Sequence, residues 1–199
     1  WGLTLNNKRM TKITEINKTS LFPTNVFFTL LDKKYCDEIN SIVENEQNHW
    51  KNNLKNVKAK TSGWNGLRYP VVRDIANFAC SELLTPIGEK EKWKLNNWTT
   101  KEAWINFYQK GDSAGLHQHF FADYCGIFIT KTNASALQLV TPLSVHGYYK
   151  ERFENINYAE SITEKEGLFV LFPSYLLHGV SECQSDRISV AFNFENCDD

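Results

Sequence analysis

From Glu102 onward, short strand-like segments alternate with turns, at 102–109, 116–119, 124–130, 135–141, 144–150, 158–163, 168–172 and 187–194. About eight such segments with no helical pattern among them predict an antiparallel sandwich or jelly roll. The stretch before residue 100 reads differently. Val26–Leu31 predicts a strand, after which Asp32 can cap a helix with Tyr35, Cys36, Ile39, Ile42 and Val43 on one face. Pro70 is placed to open a second helix, with Val72, Ile75, Ala79 and Leu83 as its apolar stripe and Pro86 with Gly88 as its end. The polar stretch between them contains Thr61–Gly66, which reads as a loop. The expected organisation is one domain over 1–199, with a helical support layer from 10 to 101 covering one outer face of a β core from 102 to 195. Met10, the only methionine, reads as the natural start, leaving 1–9 as an extension outside the fold.

Composition narrows the function classes. A chain of 199 residues with 42% hydrophobic content can bury a core without disulfides or structural metal, so a metal here more naturally serves chemistry. Lys plus Arg number 22 against 23 Asp plus Glu, a net charge of −1, which lacks the cationic excess that phosphate-backbone binding needs and argues against nucleic-acid partners. The five cysteines are scattered and form no Cys-x-x-Cys pair, which fits a reducing compartment rather than a disulfide framework or zinc ribbon. No stretch approaches the roughly 20 apolar residues needed to cross a bilayer, and the start carries no signal pattern, so the expectation is a soluble cytoplasmic protein.

The candidate chemistry gathers in the second half. In a strand, alternate side chains share a face, so His117-Gln118-His119 would turn both imidazoles one way, as a metal requires. Upstream, Trp104, Asn106 and Tyr108 alternate on one strand face and lead through the turn 109–113 to the histidines. Downstream, the strand Gly167–Phe172 ends in the bend Pro173-Ser174, and His178 follows as a third nitrogen from a distant hairpin. Arg187, Ser189 and Ala191 share a face of the last strand. A buried guanidinium with a hydroxyl two residues on is a fork for one carboxylate.

Plainer readings compete. A lone Arg after the polar turn Gln184–Asp186 is by default a surface cation, although the apolar Val190, Phe192 and Phe194 that follow favour a buried strand. Trp104 and Phe107 read as core packing. His49 reads as solvated, and His146 as either a pocket-mouth or a loop histidine. Trp64, Arg68 and Tyr124 are the candidates for the substrate side, Trp64 because an aromatic in a Gly-flanked loop commonly covers a pocket.

The ordered string Asn106-x-Tyr108-x-x-Gly111, His117-x-His119, Phe172-Pro173-Ser174 with His178, and Arg187-Ile188-Ser189 resembles the Fe(II)/2-oxoglutarate-dependent dioxygenases. It is most similar to the prolyl-hydroxylase-like branch with its small microbial and phage members, and the resemblance spans 102–194. It implies a double-stranded β-helix (a cupin-like jelly roll) flanked by helices, with Fe(II) at one mouth of the barrel. It further implies 2-oxoglutarate as cosubstrate, its far carboxylate on the Arg, and O2. The activity implied is hydroxylation of an aliphatic carbon, on a protein side chain or a small molecule, with release of succinate and CO2. Carried over by residue, His117 and His178 are iron ligands, Arg187 and Ser189 hold the far carboxylate, and Tyr108 with Asn106 hydrogen-bonds the cosubstrate.

One position departs from that pattern. The family usually has Asp or Glu two residues after the first His, where this chain has His119. Either His119 is the third ligand, or Asp123 folds back to supply a carboxylate, or His119 stands behind a weakened site; the two-residue spacing favours His119. Two other functions remain in play: a three-histidine metal dioxygenase that needs no keto acid, and a non-catalytic jelly-roll binding module.

Overall fold

The computed structural model describes residues 24–51, 56–132, 136–141 and 159–197. The expected segment 144–150, His146 and the N-terminal extension lie outside the described residues. β1 (Phe27–Leu30) leads into α1 (Lys33–Glu46), which starts where Asp32 caps it by accepting from the Lys34 amide. The polar stretch that follows contains β2 (Lys60–Thr61) and a short 3₁₀ turn, Gly66–Arg68.

Pro70 does open a helix, α2 (Pro70–Phe78), but the helical path does not stop at Pro86 and Gly88 as the sequence predicts. It continues through a π-helical segment, Ala79–Leu84, into α3 (Thr85–Glu91). A proline inside an α-helix lacks an N–H and crowds the carbonyl one turn back. The wider π turn relieves this, and the Thr85 hydroxyl donates to the Cys80 carbonyl in the same stretch. The path ends at Lys92, in the left-handed conformation at φ 57°, with the Trp93 amide donating to Gly88 O. Among the described residues, no helix is long and apolar enough to cross a membrane.

The remaining elements are β3 (Trp98–Tyr108), β4 (Ala114–His117), β5 (Tyr124–Lys131), β6 (Ala136–Val140), β7 (Ala159–Thr163), β8 (Leu168–Pro173), β9 (Leu177–Val180) and β10 (Arg187–Asn196). They form two antiparallel sheets, ordered β1-β8-β5-β10-β3-β2 and β4-β9-β6-β7, and the fold is a double-stranded β-helix flanked by helices. Two expectations shift. The predicted strand 116–119 forms at 114–117, leaving His119 just beyond its end. His178, expected after a bend, sits on a strand of its own, β9.

The centre of the larger sheet is the β3–β10 ladder, which pairs Arg187 with Tyr108, Ser189 with Asn106, Ala191 with Trp104 and Asn193 with Glu102. Strand alternation sends Ile105, Phe107, Ile188, Val190, Phe192 and Phe194 outward, where they pack with Cys36, Ile39 and Val43 of α1 and Val72 and Ile75 of α2. Inward, Trp104 and Ala191 join Cys125, Ile127, Leu137, Val170 and Phe172 in a second core.

On the smaller sheet, β4 and β9 approach closely at Gly179. A Cβ built there would lie 2.7 Å from the Ala114 carbonyl oxygen. Gly179→Ala must therefore push β9 away from β4, one residue from His178. The expected outcome is a loss of about 1–3 kcal/mol in urea unfolding, the usual range for overpacking. Weakened binding of divalent metal, read by calorimetry, should accompany it.

Candidate metal centre

Residues paired directly across an antiparallel ladder place their side chains on the same face. β4 and β9 pair His117 with His178, and the two rings lie 4.4 Å apart between centroids. Past the end of β4 the His119 amide donates to Ser174 O at 3.0 Å. That bond holds the turn so that the His119 ring comes to 5.2 Å from His117 and 4.8 Å from His178. One nitrogen from each of the three histidines lies within 4.8 Å of the others.

The partners of these rings determine where their protons sit. His117 Nδ1 lies 2.8 Å from Gly115 O, and His178 Nδ1 lies 3.1 Å from Leu176 O. A carbonyl only accepts, so Nδ1–H donates in both rings and Nε2 is the nitrogen left to face a metal. His119 Nδ1 meets Asn193 Oδ1 at 2.6 Å, and the amide's orientation is set by Nδ2 donating to Glu102 Oε2 at 3.1 Å. Here too the proton is on Nδ1. The Cys125 sulfur lies 3.4 Å from that same nitrogen. Three converging ring nitrogens suit a cation, and an imidazole set fits Fe, Zn, Cu or Ni. Burial lowers His178 to about 3, with the neighbouring His117 and His119 adding to it, and burial lowers His119 as well. Both rings are therefore neutral and ready to bind metal at ordinary pH.

The histidines share a cavity of about 40 Å³ with Asn106, Tyr108, Arg187 and Ser189. Arg187 is 1% exposed, and its Nη1 donates to Ser189 Oγ at 2.9 Å. Its Nε donates to Glu164 at 2.9 and 3.1 Å, and its Nη2 donates to Glu164 Oε1 at 2.7 Å. The Glu164 side chain, also 1% exposed, accepts from the Thr132 hydroxyl at 2.9 Å. Burial disfavours the guanidinium's charge, but the Glu164 carboxylate outweighs it and holds Arg187 above its ordinary value. Burial pushes Tyr108 up to about 12, so its hydroxyl stays a proton donor. Asn106 Oδ1 is buried and has no partner among the described residues. Guanidinium, hydroxyl, phenol and carboxamide in one small cavity fit a ligand rich in acceptors, as a keto diacid is.

A wider cleft of about 440 Å³ opens over His117 and His119, lined by Trp64, Trp104, Phe120 and Phe121 with Lys101 and Glu102. Trp64 meets Trp104 edge-on at 4.6 Å, while Phe120 and Phe121 are 77% and 82% exposed.

Of the residues singled out in the sequence, the structure brings together His117, His119, His178, Asn106, Tyr108, Arg187, Ser189 and, at the rim, Trp64. It does not bring in Arg68 or Tyr124. Arg68 donates to Ser62 O and the Tyr69 hydroxyl and pairs with Glu46, pinning its own loop. Tyr124 packs against Trp93 and Trp98 in a separate cleft, which also contains Asp123. Asp123 Oδ2 accepts from the Asn196 amide, and the carboxylate is not part of the histidine group. Sequence reasoning missed Glu164, Phe120, Phe121 and the Asn193–Glu102 support of His119. Asn193 was recoverable, as the next inward position after Arg187, Ser189 and Ala191.

Comparison with known proteins agrees with this fold. Residues 102–193 match the model of a family described as "Putative 2OG-Fe(II) oxygenase". The β-helix of this chain is thus similar to that of the 2-oxoglutarate- and Fe(II)-dependent oxygenases, over the matched residues. No curated protein sequence matches the chain. Among solved structures it is similar to a prolyl-4-hydroxylase from Pseudomonas putida, at 11% identity and TM-score 0.66 over 88% of this chain and 94% of that one. It is also similar to the viral collagen prolyl hydroxylase of Paramecium Bursaria Chlorella virus-1 in its 2OG complex, at 11% identity and TM-score 0.60 over 86% and 96%. A third is HygX from Streptomyces hygroscopicus with nickel and 2-oxoglutarate bound, at 12% identity and TM-score 0.61 over 87% and 83%. At these identities the likeness is one of fold.

Two outcomes follow for the protein without metal and with it. His178 is titrated at about 3 when folded but near 6.5 when unfolded, so the unfolded chain binds the extra proton between those values. Its contribution to stability is complete above pH 6.5 and is lost as pH falls toward 3. For the metal-free protein the loss from His178 between pH 7 and pH 5 should be about 2 kcal/mol in urea unfolding, and His178→Gln should remove that share of the slope. For the metal-binding form, Asn193→Leu frees the His119 ring to turn and should lower divalent-metal affinity about 10–100-fold by calorimetry.

Proposed function

We propose that this chain is a 2-oxoglutarate- and Fe(II)-dependent oxygenase that hydroxylates an aliphatic carbon of a protein side chain or a small molecule. In this reading His117, His119 and His178 hold Fe(II), while Arg187 and Ser189 hold the far carboxylate of 2-oxoglutarate. The observation that carries it is the convergence of one ring nitrogen from each of His117, His119 and His178 in a cavity that also contains a buried guanidinium. Fe(II), 2-oxoglutarate and O2 together supply the oxidant, the keto acid leaving as succinate and CO2. Asn106 and Tyr108 orient the keto acid from the side, and Ile127, Leu137 and Ala191 keep the cavity dry. Trp64, Trp104, Phe120 and Phe121 then meet the substrate, and their apolar surface favours one that presents hydrocarbon next to the metal.

The five cysteines are scattered and form no Cys-x-x-Cys pair, which supports a reducing, cytoplasmic setting. The helices and the barrel act as one domain, since α1 and α2 share the outer core of the β3–β10 ladder. One observation favours a second reading: Glu164 already engages Arg187, which suits a three-histidine dioxygenase with no keto acid to bind.

Succinate formation decides between them. Purified protein given Fe(II), ascorbate, O2 and 2-oxoglutarate should release succinate even without a substrate. His178→Ala should cut this by more than the roughly 10–100-fold expected of a residue behind the ligands. No succinate, together with no binding of 2-oxoglutarate by the metal-loaded protein, would overturn the keto-acid reading.

A further inference from the structure

A guanidinium as deeply buried as Arg187 is tolerated only with a partner at hand. Glu164, one residue beyond β7, takes the side-on edge formed by Nε and Nη2, and Ser189 Oγ takes one N–H of Nη1. Each of Nη1 and Nη2 carries two N–H groups, so one remains on each beyond these bonds. A ligand carboxylate can therefore still dock, but onto a cation that Glu164 has already neutralised.

The opposite end of the same cavity shows the reverse imbalance. Three neutral imidazoles leave a divalent ion its full charge, whereas a set of two imidazoles and one carboxylate would cancel part of it. Summed over the buried site, the two arrangements are equal. A divalent ion, one ligand carboxylate, a free guanidinium and a dianionic keto acid sum to zero. So do a divalent ion, three imidazoles, the Arg187–Glu164 pair and the same dianion. Without Glu164 the second set would carry a net positive charge, with the guanidinium's share of it out of reach of water.

Building on the 2-oxoglutarate reading of the site, we propose that Glu164 is the electrostatic counterweight to His119. It supplies at the arginine the negative charge that a ligand carboxylate would supply at the metal, and so moves the hold on a keto acid from its far carboxylate to its chelating end. Glu164 is thus a positioning and specificity-setting residue, and the site selects only weakly for the second carboxylate of its cosubstrate.

The test uses Co(II) titrated calorimetrically into the metal-free full chain. The Co(II)-loaded protein is then titrated, without oxygen, with 2-oxoglutarate or with 2-oxopentanoate, which lacks the far carboxylate. In Glu164→Gln, Co(II) affinity should fall about tenfold or more, because an uncancelled guanidinium repels the ion across the cavity. The preference for 2-oxoglutarate over 2-oxopentanoate should rise about tenfold, since the diacid then meets a free cation. A purely structural Glu164 predicts the opposite, a preference that is unchanged or reduced as the guanidinium loses its anchor, and that result overturns the proposal.

Glu164→Gln strands a buried charge, so the double variant Glu164→Gln/Arg187→Gln provides a second reading that survives a failure of the first to fold. Its net charge equals that of the wild type. Co(II) affinity should stay within about threefold of wild type while the preference for the diacid disappears, and a tenfold or greater loss of Co(II) affinity overturns the proposal. If the wild type itself binds neither Co(II) nor keto acid, the oxygenase reading falls. If it binds both and the two variants do not behave as stated, only the role of Glu164 falls.

Discussion

The register of β3 against β10 is the constraint on which the other layers rest. A one-residue slip would exchange the two faces of the ladder. Arg187 and Ser189 would then meet the apolar stripes of α1 and α2, and Ile188 and Val190 would enter the cavity in their place. With the observed register, four inward pairs run along the barrel in order, from Arg187 and Tyr108 to Asn193 and Glu102. The first two pairs line the polar cavity, the third gives it an apolar wall, and the last supports His119 from behind. The apolar outward residues fix that order, because burying them against the helices leaves the strands no second arrangement of comparable burial.

Much of this could be read from the chain because strand alternation leaves a direct trace in sequence. Tyr108, Asn106, Arg187 and Ser189 each sit two residues from an inward neighbour, and the spacing of His117 and His119 follows the same rule. The rule gives the right outcome for His119 for a reason it does not contain. That residue has left the strand, and the Ser174 carbonyl sets its direction. Likewise β9 is only four residues long, too short to leave a periodic signal, and becomes a strand because β4 and β6 flank it.

Where sequence reasoning failed, tertiary partners decided. Glu164 lies in Thr163-Glu164-Lys165-Glu166-Gly167, a charged run that looks like a solvated turn. Only the fold brings its side chain onto Arg187. Arg68 and Tyr124 have the right chemistry for a pocket, yet local bonds and ring contacts engage both elsewhere. Pro86 should have ended a helix, and would have done so without the π turn before it. In each case a local rule was correct about the isolated segment, and a neighbouring group supplied what the segment lacked.

The position of Cys125 has a further consequence. Its sulfur lies beside the His119 ring, in a barrel for which O2 chemistry is proposed. Burial raises this thiol well above the usual range. Thiolates, not thiols, are oxidised readily and bind metals strongly. The apolar packing that builds the barrel thus also shields its nearest sulfur from self-inflicted oxidative damage and keeps it from competing for the ion.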